Sequence, residues 1–286
     1  MFDKKFFLII FMMVTTFGVA SVVSEELRSN TTDLGTAEDL IRECKEENNC
    51  EKIILALTKA KRSLKSYDFD GIELIGVDLG NANLSNANLS NGDLRIAYLE
   101  DASLSNTDLT NANLHSAYLG SASLINTNLT GANLGNTHVR SANLEGANLK
   151  NAYLVNADLD TADLRNVNLS YADLTNANLN FAKFSDTNFE YANLNGVDLT
   201  NTNSSGANLD GANLTNAILV KSPGTVYQID IDRVKSACNW QQAIYKANLE
   251  KGNWIIDEPA NQQYIEQLKQ DKASEPKKAV DCSRWE

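Results

Sequence analysis

Histidine, the side chain that most often performs acid–base chemistry near neutral pH, occurs only twice in this sequence, as His115 and His138. Both stand at outward positions of a repeated pattern. No Ser-His-Asp arrangement, metal triad or phosphate-binding glycine loop can be assembled from the repeat. Carboxylates are so numerous that some pair must fall at a glycosidase-like separation by chance. These residue types therefore predict neither an enzyme nor a cofactor.

Cysteine is the other reactive residue type, and its four copies all lie outside the repeat, at Cys44, Cys50, Cys238 and Cys282. Pairing Cys44 with Cys50 and Cys238 with Cys282 is the only arrangement that does not tie the two ends of the repeat together. In an oxidising compartment an even number of cysteines indicates disulfides. A zinc site is the alternative, but neither pair has the two-residue spacing of a zinc ribbon. We expect two local disulfides and no metal.

A five-residue repeat organises the middle of the chain. From Phe69 to Leu219 a leucine or another residue in its place returns at every fifth position, without a slip, for 31 pentads. A small residue stands two positions before nearly every centre, Tyr67 and Ile72 being the exceptions, and it is Ala in 20 of the 31 pentads. Asn or Asp usually comes directly before the centre. The centres that are not Leu are Phe69, Val139, Phe184, Phe189 and Ser204.

The period of the repeat indicates its backbone geometry. In an extended chain alternate side chains point the same way, so the small residue and the centre point inward while the Asn or Asp between them points outward. The two polar residues that follow mark a corner, because short polar side chains and Gly favour turns. A period of five fits no α-helix. The sequence therefore predicts an all-β repeat solenoid, with a locally weak coil around residues 201–205 because Ser204 places a hydroxyl in the core.

This pattern resembles the pentapeptide-repeat proteins, and the resemblance covers about half of the chain. It implies a right-handed quadrilateral β-helix in which four pentads make one square coil. The 31 pentads would then form about eight coils, flanked by small α-helical caps. At roughly 4.8 Å between stacked strands the β-helix would be about 35 to 40 Å long.

The N-terminal part of the chain divides into two predicted segments. Residues 1–24 are typical of a signal peptide, because Lys4 and Lys5 precede an apolar run that is short for a membrane span. An uncleaved anchor is the alternative. Residues 25–66 are predicted to form a linker and a helical cap, in which Thr36 and Asp39 make a capping box. We expect this cap to pack on Ile72, Ile75 and Val77, which are unusually apolar for their positions.

The C-terminal part is predicted to form a second cap. After the β-helix of residues 67–220, residues 221–286 show helical spacing from Ile231 to Tyr245 and again from Asp257 to about Lys269. The stretch 254–256 between the two predicted helices is apolar and is expected to form a buried junction. Together with the disulfide of Cys238 and Cys282, these helices would cap the end of the β-helix.

Parts of this C-terminal segment also resemble exported pentapeptide-repeat proteins of cyanobacteria. The matching residues are Ala237-Cys238-Asn239-Trp240, Ala243-Ile244-Tyr245 and Cys282-Ser283-Arg284-Trp285. The resemblance implies a location in the periplasm or the thylakoid lumen. With the signal peptide removed, the mature chain would have no contact with the membrane.

The negative charge of the chain lies in the repeat. Residues 67–219 contain 17 Asp and Glu against 5 Lys and Arg, and their net charge of −12 equals that of the whole chain. Some cytoplasmic members of the family use such a surface to imitate duplex DNA and occupy DNA gyrase, so inhibition by charge mimicry is one alternative function. Export would separate this protein from DNA, and an acidic face commonly serves solubility. The absence of a basic patch argues against direct binding of nucleic acid.

Aromatic residues at outward positions are the remaining candidates for a functional surface. In a coil of four pentads, Tyr98, Tyr118 and His138 stack on one another, Tyr171 stacks under Tyr191, and Phe181 also points outward. Such a strip on a rigid face is suited to docking a protein. The alternative is that aromatic ladders only stabilise the sheet. We predict an exported structural or protein-interaction module with a protein partner that the sequence does not name, an enzyme of unrecognised type being the least favoured alternative.

Overall fold

The computed structural model describes residues 63–202, 205–220, 231–250, 253–271, 276 and 279–285. Residues 63–66, at the end of the predicted cap segment, already pair with the next coil, since the amide of Leu64 donates to the carbonyl of Asn83 at 2.9 Å. The predicted signal peptide, the rest of the cap segment with Cys44 and Cys50, and the serine at position 204 lie outside the described residues. The expectations for these parts of the chain therefore stay predictions.

Parallel bridges wind the repeat into a coil of four pentads. The outward residue of one pentad bridges to the outward residue four pentads later, beginning with Asp68 and Asn88. The amide of Leu79 donates to the carbonyl of Tyr98 at 2.7 Å, and the amide of Tyr98 donates to the carbonyl of Val77 at 2.9 Å. Hydrogen bonds of this kind join successive coils, and the repeat therefore forms a β-helix.

Each corner of the coil is a β-turn that explains the consensus of the repeat. At one corner the amide of Ala82 donates to the carbonyl of Leu79 at 3.0 Å, and Asn81, the third residue of the turn, has a φ of 60°. Positive φ favours Asn and Gly, which crowd at this position. The outward Asn83 accepts a hydrogen bond from the amide of Ser85 at 3.1 Å, so the Asn or Asp before each centre fixes the next corner.

The inward positions form a continuous core. The Leu centres and the Ala residues two positions before them are buried along the described coils, and Phe184 meets Phe189 edge to face at 5.4 Å. Where Thr replaces Ala, its hydroxyl finds a carbonyl, as Thr127 does by donating to Leu104 at 2.6 Å. Buried hydroxyls with such partners carry little penalty.

Ile72 and Val77 lie in the core of the first coils, and their expected contact with an N-terminal cap stays a prediction because the cap lies outside the described residues. Both stand two positions before a centre, where the register turns the side chain into the core, and they are 3% and 1% exposed. Ile75 does point outward and is 42% exposed.

The chain after the last pentad returns to complete the β-helix. Cys238 bridges to Asn213 and Ile244 bridges to Ile218, so these two residues add two rungs beyond the repeat. The end of a β-helix presents unpaired amides and carbonyls, and these rungs satisfy part of them. The helix predicted from Ile231 to Tyr245 is therefore replaced by a short helix α1 (Ile231–Val234), a bridge, and a 3₁₀ turn at Trp240–Gln242.

A hairpin and one regular helix follow these rungs. Strands β1 (Ala247–Glu250) and β2 (Asn253–Ile256) pair antiparallel, with Ala247 opposite Ile256. Ile255 and Ile256 are 50% and 37% exposed, so the expected buried junction is wrong: they stand on a two-stranded sheet and not between two helices.

Helix α2 (Glu258–Gln270) forms where the sequence predicts it. The carboxylate of Asp257 caps its first turn by accepting from the amide of Ala260 at 3.1 Å. Ile265 and Leu268 are buried on its inner face. A last 3₁₀ turn covers Ser283–Trp285. Of the helices in the described part of the chain, none has both the length and the apolarity needed to cross a membrane.

Candidate functional site

The two histidines do not come together. Nδ1 of His115 lies 3.0 Å from where a Cβ of Gly135 would stand, and its Nε2 lies 3.4 Å from Nδ2 of Asn136, whereas His138 stacks on Tyr118. Within the described ranges, no three His, Cys, Asp or Glu side chains are placed to hold a metal ion.

One aromatic column runs along the β-helix as the register predicts. The ring centroids of Tyr98 and Tyr118 are 5.0 Å apart with planes 4° apart, and those of Tyr118 and His138 are 4.9 Å apart with planes 14° apart. These separations match the spacing of stacked strands. Tyr98 is 43% exposed, so the column meets solvent.

A second aromatic pair is partly covered by the chain itself. Tyr171 stacks on Tyr191 with centroids 5.3 Å apart. The C-terminal tail, residues 281–285, lies against this pair: the guanidinium carbon of Arg284 is 5.2 Å from the centre of the Tyr171 ring, and Nε1 of Trp285 donates to the carbonyl of Gly211 at 2.7 Å. Partial burial raises the pKa of the Tyr191 hydroxyl above its ordinary value, and the nearby carboxylate of Asp281 adds to the rise.

The aromatic residues predicted as one interaction strip lie in three places. One coil of four pentads contains 20 residues, and within it Tyr171 and Tyr191 occupy a position seven residues before the position shared by Tyr98, Tyr118 and His138. Phe181 is 48% exposed, but it stands three register positions after the column and belongs to the next corner. Only Tyr98, Tyr118 and His138 therefore form a continuous exposed surface, and its use in docking stays a prediction.

Two glycines turn the edge of this column into a groove. Gly80 and Gly120 occupy the register position two residues after the column, on either side of Glu100. A Cβ at Gly120 would meet nothing closer than Cγ of Glu100 at 3.8 Å and the carbonyl of Arg140 at 3.9 Å. We call this feature the tyrosine groove, and it consists of Tyr98, Tyr118, His138, Gly80, Gly120 and Glu100. Sequence reasoning missed its floor, although two glycines in one register, separated by two coils, were the signal.

Carboxylates dominate the charge around the tyrosine groove. In the part of the chain that the structure describes, no ion pair involves Asp78, Glu100 or Asp101. Arg140, at the far end of the groove, pairs with Asp158 at 3.4 Å and with Asp160. The open stretch of the groove therefore carries uncompensated negative charge.

The arginines on neighbouring faces are paired with carboxylates. The bidentate hydrogen bond from Arg95 holds the pKa of Asp93 below its ordinary value. Burial raises the pKa of Asp163, but the hydrogen bonds and charge of Arg165 outweigh it and leave that pKa lowered. Arg165 also meets Glu145 at 2.9 Å. Such exposed pairs contribute little to stability, and they reduce the positive charge available to a partner.

The repeat and its coil geometry match a known protein family. The family model described as pentapeptide repeats matches in 8 copies, over residues 68–95, 93–136, 142–180 and 182–220. The chain belongs to the pentapeptide-repeat family. No curated protein matches this sequence.

Several solved pentapeptide-repeat structures are similar to this chain. HetL of the cyanobacterium Nostoc sp. strain PCC 7120, described as involved in regulating heterocyst differentiation, is 28% identical over 70% of this chain and 97% of its own, with a TM-score of 0.44. A pentapeptide-repeat protein of the Arabidopsis thaliana thylakoid lumen is 31% identical over 35% of this chain and 66% of its own, with a TM-score of 0.28. QnrB1, a plasmid-mediated fluoroquinolone resistance protein, is 18% identical over 51% of this chain and 90% of its own, with a TM-score of 0.29.

We expect the substitution Ile96→Asn beside the tyrosine groove to stabilise the protein. Ile96 has a φ of 59° and is 48% exposed, in the turn position that Asn usually fills in this pentapeptide-repeat chain. Because a left-handed backbone costs a β-branched residue roughly 1 kcal/mol, the unfolding free energy should rise by about that amount in urea titration. Ser116→Asn, at the same register position one coil later, should change it by less. A loss of stability in the Ile96 variant would contradict this expectation.

Proposed function

We propose that this pentapeptide-repeat protein is an exported, non-enzymatic interaction module that offers a rigid acidic surface to a protein partner. The observation that carries the proposal is the tyrosine groove, in which Tyr98, Tyr118 and His138 stack within about 5 Å of one another on an exposed face. Aromatic side chains dominate the energetics of protein interfaces, and a surface held by regular backbone pairing loses little entropy on binding.

The finer features of the fold belong to this proposal. We take the β-helix to be right-handed, with about eight coils, and to be flanked by small helical caps at both ends. Helix α2 and the disulfide between Cys238 and Cys282 support the C-terminal cap.

Export to the periplasm or the thylakoid lumen is likewise proposed. Residues 1–24 have the composition of a signal peptide, and a structural disulfide persists in oxidising compartments. Cell fractionation with detection of the mature N-terminus tests this location. A cytoplasmic pool of uncleaved protein would contradict it.

Inhibition by imitation of duplex nucleic acid is the second candidate. The net charge of −12 carried by residues 67–219 favours it. Such an inhibitor must share a compartment with its target, so the fractionation experiment also separates the two proposals. A cytoplasmic pool would favour charge mimicry, and complete export would contradict that proposal.

The interaction role is tested by affinity capture from the exported fraction. The full chain is used as bait beside a variant carrying Tyr98→Ser and Tyr118→Ser. Tyr153→Ser is the matched control, because Tyr153 is 58% exposed and lies on a different face. We expect the double variant to lose specific partners and the control to keep them. Identical partners with all three baits would show that the tyrosine groove is not the docking site.

A further inference from the structure

We propose that the tyrosine groove binds an extended segment of a partner protein that carries arginine side chains. This inference rests on the proposed interaction function and specifies the chemistry of the partner. It concerns the open stretch of the groove between Gly80 and Arg140.

Charge complementarity is the first argument. Asp78 stands one coil before Tyr98 at the same register position, and Glu100 and Asp101 lie in the corner turn that follows Tyr98. No ion pair within the described ranges neutralises these three carboxylates. Glu100 is the second residue of the corner turn that follows Tyr98, so its carboxylate stands two residues along the chain from the outward ring. A cation seated between them would meet a ring and a carboxylate together, which strengthens both interactions.

The molecule itself shows which side chain a tyrosine stack of this β-helix accepts. Over the second pair, Cζ of Arg284 lies 5.2 Å from the centre of the Tyr171 ring and 5.1 Å from the Trp285 ring. This arginine belongs to a short tail held against the outside of the coils. The column of Tyr98 and Tyr118 has the same stacked geometry, and among the described segments no tail lies over Tyr98, which remains 43% exposed.

The floor of the groove provides the space that an arginine needs. A Cβ added at Gly120 would come no closer than 3.8 Å to any atom beyond its chain neighbours, so a partner's side chain can lie flat beside Tyr118 and reach Glu100. Gly80 stands at the same register position two coils earlier, about 10 Å away at the usual strand spacing. A Cβ there would meet Oδ1 of Asp78 at 3.3 Å, so this position presents a carboxylate rather than an open gap. In a polyproline II segment, side chains three residues apart lie on the same side at about 9 Å. Two arginines separated by two residues would therefore place one guanidinium beside Gly120 and the other against the Asp78 carboxylate beside Gly80.

Arginine is favoured over lysine for a geometric reason. The planar guanidinium stacks on an aromatic ring while its N–H groups remain free to hold a carboxylate, whereas an ammonium group acts as a strongly hydrated point charge. Exposed Ile96, two residues before Tyr98, adds apolar surface for the aliphatic part of the side chain. Arg140 bounds the groove at its other end, where it pairs with Asp158 and Asp160.

Fluorescence anisotropy with a defined peptide tests the proposal. The probe is Gly-Pro-Arg-Pro-Pro-Arg-Pro-Gly with a fluorescent label, and the comparison peptides replace both arginines by lysine or by glutamine. We expect the full chain to bind the arginine peptide, the lysine peptide about 3-fold more weakly, and the glutamine peptide at least about 10-fold more weakly. Equal binding of the arginine and lysine peptides, or no binding of either, would overturn the proposal.

Variants of the groove separate this site from general attraction to an acidic protein. Gly120→Leu should weaken binding of the arginine peptide about 10-fold by filling the gap, and Tyr118→Ser should do the same by removing the ring. Gly120→Leu should leave the melting temperature unchanged, because this position does not have a left-handed φ and an added Cβ meets nothing closer than 3.8 Å. Tyr153→Ser should bind like the unaltered chain. If neither groove substitution changes the affinity for the arginine peptide, the peptide is held by general charge attraction alone, and the proposed site is contradicted.

Three further outcomes show which proposal has failed. If partners captured from the exported fraction depend on Tyr98 and Tyr118 while the arginine peptide does not bind, the interaction function stands and the arginine chemistry is wrong. If captured partners are also indifferent to these tyrosines, the proposed function fails together with the inference. A concentration-dependent doubling of mass that Gly120→Leu abolishes would assign the groove to a second copy of this chain and overturn the proposal.

Discussion

Leu134→Asp is expected to unfold several coils of the β-helix at once. Leu134 is 1% exposed in the middle of the described repeat, so the substitution buries a carboxylate with no positive partner in the Leu column. Such a change costs upwards of about 5 kcal/mol, and a coil of a repeat protein is stable only against its neighbours. Circular dichroism during thermal unfolding should show a large fall in the melting temperature and a broadened transition.

Leu134→Met is the matched control for this prediction. It keeps the volume and the apolar surface of the side chain and should cost less than about 1.5 kcal/mol. The effect of the Asp substitution should also weaken as the pH falls, because burial raises the pKa of a carboxyl group and protonation removes its charge. A Leu134→Asp protein that melts with the unaltered chain would remove the assignment of this position to the core.

Loss of the disulfide between Cys238 and Cys282 is expected to release the C-terminal end of the β-helix. The bond closes a loop with a sequence separation of 44, for which the loss of unfolded-state entropy corresponds to about 4 kcal/mol. The double substitution Cys238→Ala and Cys282→Ala should therefore loosen the rungs that follow the repeat. Hydrogen exchange should speed up at the amides of Leu214 and Leu219, which donate to the carbonyls of Cys238 and Ile244.

The middle of the β-helix supplies the internal control for the disulfide variant. Amides such as that of Leu114, which donates to Asn133 at 2.7 Å, should keep their protection because their coils do not contact the rungs. A thiol reductant added to the unaltered chain should reproduce the pattern. Unchanged exchange at Leu214 and Leu219 in both experiments would show that the rungs hold without the disulfide.

The repeat could be predicted because its period is short and its signal is local. The register that buries Leu134 and stacks Tyr98 on Tyr118 follows from counting in fives once a coil of four pentads is assumed. Helix α2 could also be predicted, since Asp257 and Pro259 mark its start in the sequence. Each of these features depends on neighbours within one coil or one helical turn.

The C-terminal segment was predicted poorly for the opposite reason. The apolar spacing from Ile231 to Tyr245 fits a helix. Cys238 and Ile244 instead form β-bridges with the last coil, whose backbone amides and carbonyls would otherwise be unpaired. Local helix propensity does not reflect these unpaired backbone groups, because they belong to the preceding coil. The same limit applies to Ile255, which the hairpin leaves exposed.

Sequence by itself determined the Leu and Ala core and the acidic charge, because these follow a period that can be counted. The vertical stacking of aromatic residues also required the coil of four pentads, which the family resemblance implied. Only the tertiary structure decided which aromatic column stays open. The tail of residues 281–285 returns over Tyr171, while Gly80 and Gly120 leave a groove beside Tyr98 and Tyr118. The physical reason is that exposure depends on what packs from outside the coil, and the repeat does not encode those contacts.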